Sequence, residues 1–198
     1  MANLNYANKE LNLKIVYYGT SLGGKTTNLR SIYAKLSSDR KGQMMSLATD
    51  LDQTIFFDFL PIDVGEIKGW KLRFHLYTVP GQVYYNASRR LVLRNVDGLV
   101  FVVDSQRERL EENIESMYNL QDNLRAYDLI LKDIPMIIQY NKRDLPNIME
   151  IKELQTQLNN EDYQYFESVA IRNIGILETL KRICQLTIIA LSDTLPAV

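Results

Sequence analysis

Short apolar segments alternate with amphipathic segments along almost the whole chain, and this alternation restricts the fold more than any other sequence feature. Apolar runs of strand length are typical of buried strands, whereas apolar residues spaced three and four positions apart mark one helix face. Strands separated by helices form a mainly parallel sheet with helices on both faces. Ligands bind such sheets at the carboxyl ends of the strands. The sequence therefore predicts an α/β fold of this kind.

The predicted elements follow one another in a regular order. The strands are 13–18, 55–62, 72–79, 99–103, 134–140 and 163–169, and the helices are 25–36, 106–127, 151–158 and 175–191. Alternation within the second strand predicts that Phe57 and Phe59 are buried on one face. Gly65 and Gly69 are expected to form the turn that follows it. The length suits one domain spanning residues 1–198.

The composition of the chain argues against several classes of function. The chain has 23 Lys and Arg residues against 24 Asp and Glu residues, which disfavours general nucleic-acid binding because phosphates attract an excess of cations. The single cysteine, Cys184, allows no internal disulfide and suits a reducing cytoplasm. The sequence shows no apolar run of about 20 residues, no signal-peptide pattern and no prenylation motif. We therefore expect a cytoplasmic protein without its own membrane anchor.

A glycine-rich segment follows the first predicted strand and opens the first helix. Its sequence, Gly19-Thr20-Ser21-Leu22-Gly23-Gly24-Lys25-Thr26, matches the phosphate-binding pattern GxxxxGK[ST] in full. The backbone N–H groups of such a loop surround a phosphate, and the helix N-terminus adds partial positive charge. Lys25 is expected to bridge the β- and γ-phosphates, and the Thr26 hydroxyl to bind Mg²⁺. An incidental glycine-rich turn is disfavoured by the flanking strand and helix.

A second motif, Asn141-Lys142-Arg143-Asp144, follows the strand 134–140 and matches NKxD. The Asp144 carboxylate can accept hydrogen bonds from N1–H and the 2-amino group of guanine, whereas adenine has an acceptor at N1. Discrimination that leaves buried polar groups unpaired reaches about 10⁴–10⁵. Asn141 is expected to brace the loop, and the stem of Lys142 to lie over the base. Alone the motif could be an ordinary loop, but downstream of a phosphate loop it predicts guanine binding.

Two further segments complete the predicted site. Ser168-Val169-Ala170 lies between the last strand and the last helix, where GTPases place a loop whose backbone N–H contacts the guanine O6. Thr78-Val79-Pro80-Gly81-Gln82 ends the strand 72–79, where most GTPases have DxxG and the Asp holds a magnesium-bound water. Because Thr78 replaces that Asp, the contact must be weaker or supplied differently. Gly81 N–H can contact the γ-phosphate, and Gln82 can orient the attacking water.

Thr54, just before the strand 55–62, is the candidate for a threonine that closes over Mg²⁺. The predicted catalytic residues are therefore Lys25, Thr54 and Gln82, and the predicted metal ligands are Thr26 and Thr54. The residues expected to bind nucleotide are Gly19, Thr20, Ser21, Leu22, Gly23, Gly24, Lys25, Thr26, Thr27, Thr54, Gly81, Asn141, Lys142, Asp144, Ser168, Val169 and Ala170.

The chain closely resembles the MglA family of bacterial Ras-like small GTPases over nearly its whole length. The resemblance rests on residues 15–19, 24–29, 56–61, 73–83 and 139–147, and the Thr-Val-Pro-Gly-Gln form is especially specific. It implies the P-loop fold of small GTPases and a cytoplasmic switch that binds GTP or GDP with Mg²⁺ and sets the leading pole of a rod-shaped bacterium for motility. It also implies an MglB-type roadblock homodimer as activating protein and a RomR-type polar partner. Because switches of this size are commonly monomers, we expect this chain to be a monomer.

Two residues depart from the family pattern, and both concern hydrolysis. Family members usually have Gly at the position of Ser21, where a side chain crowds the γ-phosphate and the glutamine that orients water. They usually have Arg at the position of Gln53, where it serves as an intrinsic arginine finger. Arginine fingers contribute about 10³–10⁵ in rate, and glutamine cannot replace their charge. We therefore expect slow intrinsic hydrolysis.

Two other functions remain open at this point. A module that holds GTP stably as a polarity scaffold, without meaningful turnover, is favoured by Ser21, Gln53 and Thr78, whereas Gln82 and the complete phosphate loop favour the switch. An ATP-dependent kinase that shares the phosphate loop is disfavoured by the motif 141–144. The single histidine, His75, is expected to be a sheet residue rather than a catalytic base.

Overall fold

The computed structural model describes residues 3–48, 54–67, 69–82 and 85–191, which form one sheet flanked by helices. The strands are β1 (Asn3–Asn5), β2 (Glu10–Gly19), β3 (Met45–Ala48), β4 (Thr54–Ile67), β5 (Trp70–Thr78), β6 (Gly98–Asp104), β7 (Met136–Asn141) and β8 (Tyr165–Glu167). The helices are α1 (Lys25–Lys35), α2 (Asn86–Leu93), α3 (Leu110–Arg125), α4 (Ile151–Leu158) and α5 (Ile176–Leu191). The predicted α/β fold is confirmed.

The strand order is β3-β4-β5-β2-β6-β7-β8, and β1 pairs with the start of β2. The five strands from β5 to β8 in this order are parallel, whereas β1, β3 and β4 pair antiparallel with their neighbours. Every residue of β6 is buried, because an inner parallel strand is covered on both faces. The carboxyl ends of β5, β2, β6 and β7 therefore lie side by side at one edge of the sheet.

The core has two layers, one on each face of the sheet. Residues of α2, α3 and α4 pack on one face, with Leu93, Leu120 and Leu154 fully buried. Residues of α1 and α5 pack on the other face, where Leu29 and Ile183 are fully buried. Within the described ranges, the helices lack the combination of length and apolar composition needed to cross a bilayer.

Several local predictions need correction. Gly65 does not lie in a turn: it is part of β4, at an irregularity in the pairing with β5, and its φ of 107° suits a bulge. Phe57 and Phe59 are only half-buried, and the buried face of β4 carries Asp58 and Leu60 instead. The short elements β1, β3 and α2 were not predicted, because short polar segments carry little hydrophobic periodicity.

Candidate functional site

The sequence motifs converge at the carboxyl edge of the sheet. Gly19 ends β2, Thr78 ends β5 and Asn141 ends β7. β5 is the neighbour of β2, and β6 lies between β2 and β7. The edge is the place where α/β sheets bind ligands, and the predicted phosphate and base motifs are adjacent there.

The phosphate loop joins β2 to α1, and its lysine is buried beneath it. Lys25 Nζ donates to the carbonyl oxygens of Gly19 at 3.0 Å and Thr20 at 2.7 Å. Burial lowers the pKa of Lys25 to about 7, with further lowering by the nearby Arg89 guanidinium. Because an anion favours the charged form of lysine, a phosphate bound beside Lys25 would raise this pKa again. The lysine lies where the sequence predicted it.

An aspartate that the sequence analysis did not select occupies the predicted magnesium site. Thr26 Oγ1 donates to Asp58 Oδ2 at 2.6 Å, and Thr78 Oγ1 donates to the same oxygen at 2.7 Å. The Asp58 N–H donates to Thr78 Oγ1 at 2.9 Å, and Ser46 also donates to the carboxylate. Asp58 is fully buried. A hydroxyl beside a carboxylate is the type of oxygen donor set that Mg²⁺ accepts together with phosphate oxygens, so these residues fit the ion.

Asp58 therefore supplies from β4 the carboxylate that Thr78 lacks on β5. The sequence carried a signal for it, since Asp58 is a charged residue within the apolar run 55–62. A charged residue on the buried face of a strand needs a partner. That signal was missed because the alternating pattern was interpreted as burying Phe57 and Phe59, whereas the strand buries Asp58 and Leu60.

The structure describes Thr54 only in part and Gln53 not at all. Thr54 is the first residue of β4, but the position of its side chain lies outside the described part of the structure, and so does all of Gln53. The role of Thr54 as a magnesium ligand stays a prediction.

Gly81 and Gln82 lie against the phosphate loop. A Cβ added to Gly81 would come within 2.2 Å of Ser21 Cα, so only glycine fits this close approach. Gln82 and Ser21 line the same cavity of about 420 Å³, together with Thr20 and Gly81. The structure thus brings the predicted water-orienting glutamine close to the serine that departs from the family pattern.

A second cavity, of about 310 Å³, joins the phosphate loop to the base motif. It is lined by Leu22, Gly24, Thr27, Asn141, Lys142, Asp144, Leu145, Ala170 and Ile171. The Asp144 side chain is 11% exposed, and one of its oxygens lies 3.6 Å from Arg172 Nη2. Arg172 is 64% exposed, so its ion pair with Asp144 contributes little and is easily exchanged for another donor. The carboxylate is available to a base in this cavity.

Asn141 fixes the geometry between the two motifs. Its Nδ2 donates to the Gly23 carbonyl oxygen at 2.9 Å, and its Oδ1 accepts from Ser168 Oγ and from the Ala170 N–H, both at 3.0 Å. The N–H groups of Ser168 and Val169 donate to the carbonyl oxygens of Tyr140 and Ile174. The loop 168–170 therefore reaches the base site through Asn141, and its predicted contact with the guanine O6 stays a prediction.

Asp104, at the carboxyl end of β6, is a second residue that the sequence analysis missed. Its fully buried carboxylate accepts from Lys142 Nζ at 2.6 Å and lies 3.8 Å from Arg109 Nε. Arg109 in turn donates to the Ser21 carbonyl oxygen at 2.7 Å. Asp104 thereby holds the lysine of the base motif and ties it to the phosphate loop. An acidic residue ending a buried strand at the ligand edge was the available signal.

Comparisons with known proteins agree with this geometry. The chain matches the ADP-ribosylation factor family over residues 1–187. It is 52% identical over 188 residues to the "Mutual gliding-motility protein MglA" of Myxococcus xanthus (strain DK1622), covering 95% of this chain and 96% of that protein. Small GTPases of this type bind a guanine nucleotide with Mg²⁺ and hydrolyse GTP. The chain therefore belongs to the ADP-ribosylation factor family of small GTPases and, within these GTPases, to the MglA family whose motifs it carries.

Proposed function

We propose that this chain is a GTP-dependent switch in bacterial cell polarity and motility, with slow intrinsic hydrolysis. The observation that carries nucleotide binding is that Gly24, Asn141 and Asp144 line one cavity of about 310 Å³. The motility role is supported by the similarity to the gliding-motility protein of Myxococcus xanthus and by the family resemblance. In this proposal partner proteins read the GTP-bound form.

Different residues of the site bind the phosphates, the metal ion and the base. The loop N–H groups and Lys25 hold the phosphates, Thr26 and Thr54 bind Mg²⁺, and Asp58 fixes the hydroxyl of Thr26. The ion neutralises charge on the β- and γ-phosphates and so favours phosphoryl transfer to water. The Gly81 N–H senses the γ-phosphate and Gln82 orients the water. Asp144 selects guanine.

We further propose the partners that the family resemblance implies: an MglB-like roadblock homodimer that accelerates hydrolysis and a RomR-like protein that recruits the switch to a cell pole. The departures at Ser21 and Gln53 support the need for an activating protein. An activating protein can complete a GTPase site by supplying a missing cation in trans.

The second candidate function is a GTP-bound scaffold that does not turn over. The position of Ser21 supports it, because Ser21 lines the same cavity as Gly81 and Gln82. A serine side chain in that position occupies space beside the γ-phosphate and Gln82.

The nucleotide content of the purified protein tests guanine binding directly. We expect extraction and chromatography to yield GDP or GTP, and we expect excess GTP, but not excess ATP, to displace a fluorescent guanine nucleotide. Recovery of adenine nucleotides, or equal displacement by ATP, would contradict the proposal. The ratio of GTP to GDP also shows how far hydrolysis has run, and this ratio separates the switch from the scaffold.

Restoring the family residues is expected to accelerate hydrolysis. Gln53→Arg should raise the single-turnover rate by at least about tenfold, because a guanidinium can stabilise transition-state charge. Ser21→Gly should raise it further, because it removes the serine side chain from the cavity that Gln82 also lines. Gln53→Lys is the matched control, since it restores charge without the planar fork and should give a smaller gain. A fast wild-type rate that neither change alters would contradict the prediction.

A further inference from the structure

A fully buried arginine lies beneath the loop that carries the γ-phosphate contacts. Arg89, on α2, is 2% exposed. Its Nε donates to the Pro80 carbonyl oxygen at 2.8 Å, and its Nη2 donates to the Gly81 carbonyl oxygen. Within the described ranges, no carboxylate forms a salt bridge with this guanidinium.

A buried cation without a carboxylate partner is costly, so the surrounding groups must compensate it. Asn119 Oδ1 accepts from Arg89 Nη1 at 2.8 Å and from the hydroxyl of Tyr18 at 2.5 Å. The guanidinium also lies over the Tyr18 ring, 5.5 Å from its centroid. Asn119 Nδ2 donates to Asn86 Oδ1 at 3.0 Å. This network joins α2 to α3 and fixes the direction of the guanidinium.

The geometry of the peptide group shows what this arrangement does. In a planar trans peptide, the C=O and the N–H point to opposite sides, and the described residues contain no cis peptide bond. Arg89 holds the carbonyls of Pro80 and Gly81 on its own side. The N–H groups of Gly81 and Gln82 belong to the same two peptide planes, so both point away from Arg89. Gly81 itself packs against Ser21 of the phosphate loop.

We propose that Arg89 is a positioning residue for γ-phosphate recognition, which fixes two successive peptide planes so that their N–H groups face the phosphate loop. This inference rests on the proposed function, since it requires that Gly81 senses the γ-phosphate. Arginine suits the task because its planar fork reaches two carbonyls at once, whereas the single ammonium of lysine cannot hold both in fixed directions.

The test compares GDP with a non-hydrolysable GTP analogue, because only the analogue has a γ-phosphate group. Arg89→Lys and Arg89→Gln should weaken binding of the analogue by about 10–100-fold, the size expected for losing hydrogen bonds to a charged group. Their GDP affinity should stay within about threefold of wild type. Arg94, which directly follows α2 and is exposed, provides the control: Arg94→Gln should leave both affinities unchanged.

GDP binding serves as the internal check on folding, and competition with a fluorescent guanine nucleotide in excess Mg²⁺ measures both affinities. An equal loss of GDP and analogue binding in the Arg89 variants would assign Arg89 a structural role and overturn the inference. Unchanged binding of both nucleotides would also overturn it. If the wild-type protein bound neither nucleotide, the proposed function itself would fail.

Discussion

Asp144→Asn should convert the base site from guanine to xanthine nucleotides. Asn141 and Asp144 line one cavity with Gly24 of the phosphate loop, and the carboxylate accepts from N1–H and the 2-amino group in the proposed complex. An asparagine would turn an N–H donor toward that amino group. A site that hydrogen-bonds its ligand rejects mismatched analogues by about 10⁴–10⁵, so GDP affinity should fall by about 10⁴.

Xanthine has a carbonyl in place of the 2-amino group, so the new amide donor would find an acceptor. We expect xanthosine diphosphate to bind Asp144→Asn more tightly than GDP does, reversing the wild-type preference in a competition assay. Asp122→Asn is the matched control, because Asp122 is 68% exposed on α3 and should affect neither nucleotide. Retention of the wild-type preference by Asp144→Asn would show that this carboxylate does not read the base.

Asp58→Ala should uncouple nucleotide retention from magnesium. The buried carboxylate holds the hydroxyl of Thr26, the predicted metal ligand, at 2.6 Å. Loss of a residue that orients a metal ligand typically costs 10–100-fold in metal affinity. The Mg²⁺ concentration that gives half-maximal slowing of GDP release should therefore rise by about 10–100-fold. Release in excess chelator should match wild type, because no metal is bound in that condition.

Thr78→Asp should rescue Asp58→Ala. Thr78 Oγ1 lies 2.7 Å from Asp58 Oδ2, so a carboxylate at position 78 would lie close to the one removed from position 58. The double variant should recover most of the magnesium dependence measured as GDP release. If Asp58→Ala released GDP faster in chelator as well, the aspartate would be acting on the fold rather than on the ion. No rescue by Thr78→Asp would indicate that the site needs its carboxylate on β4.

The sequence predicted the scaffold well because the scaffold depends on local periodicity. The continuous apolar run 99–103 predicted an inner strand, and β6 extends it by one residue at each end. The helix predicted at 151–158 has the same bounds as α4. By contrast, α2 begins with Asn86-Ala87-Ser88 and carries Arg89 inward, so its pattern does not indicate which face is buried. Tertiary contacts decide such cases.

The phosphate and base motifs were predictable because each is contiguous in sequence. Asp58 and Asp104 were not predicted, since their importance depends on partners far along the chain: Asp58 contacts Thr26 and Asp104 contacts Lys142. Sequence spacing contains no information on such pairs until the strand order is known. Arg89 is harder still, because an arginine in an amphipathic helix is usually solvated.

The location of Asp58 on β4 makes ion binding sensitive to the alignment of a strand. Successive side chains of a strand face opposite sides, so a one-residue slip of β4 along β5 would direct Phe57 or Phe59 toward Thr26. An aromatic ring has no carboxylate to hold the hydroxyl of Thr26, the predicted metal ligand. The alignment of β4 and the orientation of the Thr26 hydroxyl are therefore coupled, and a shift of the strand by one position would remove the carboxylate that holds this hydroxyl.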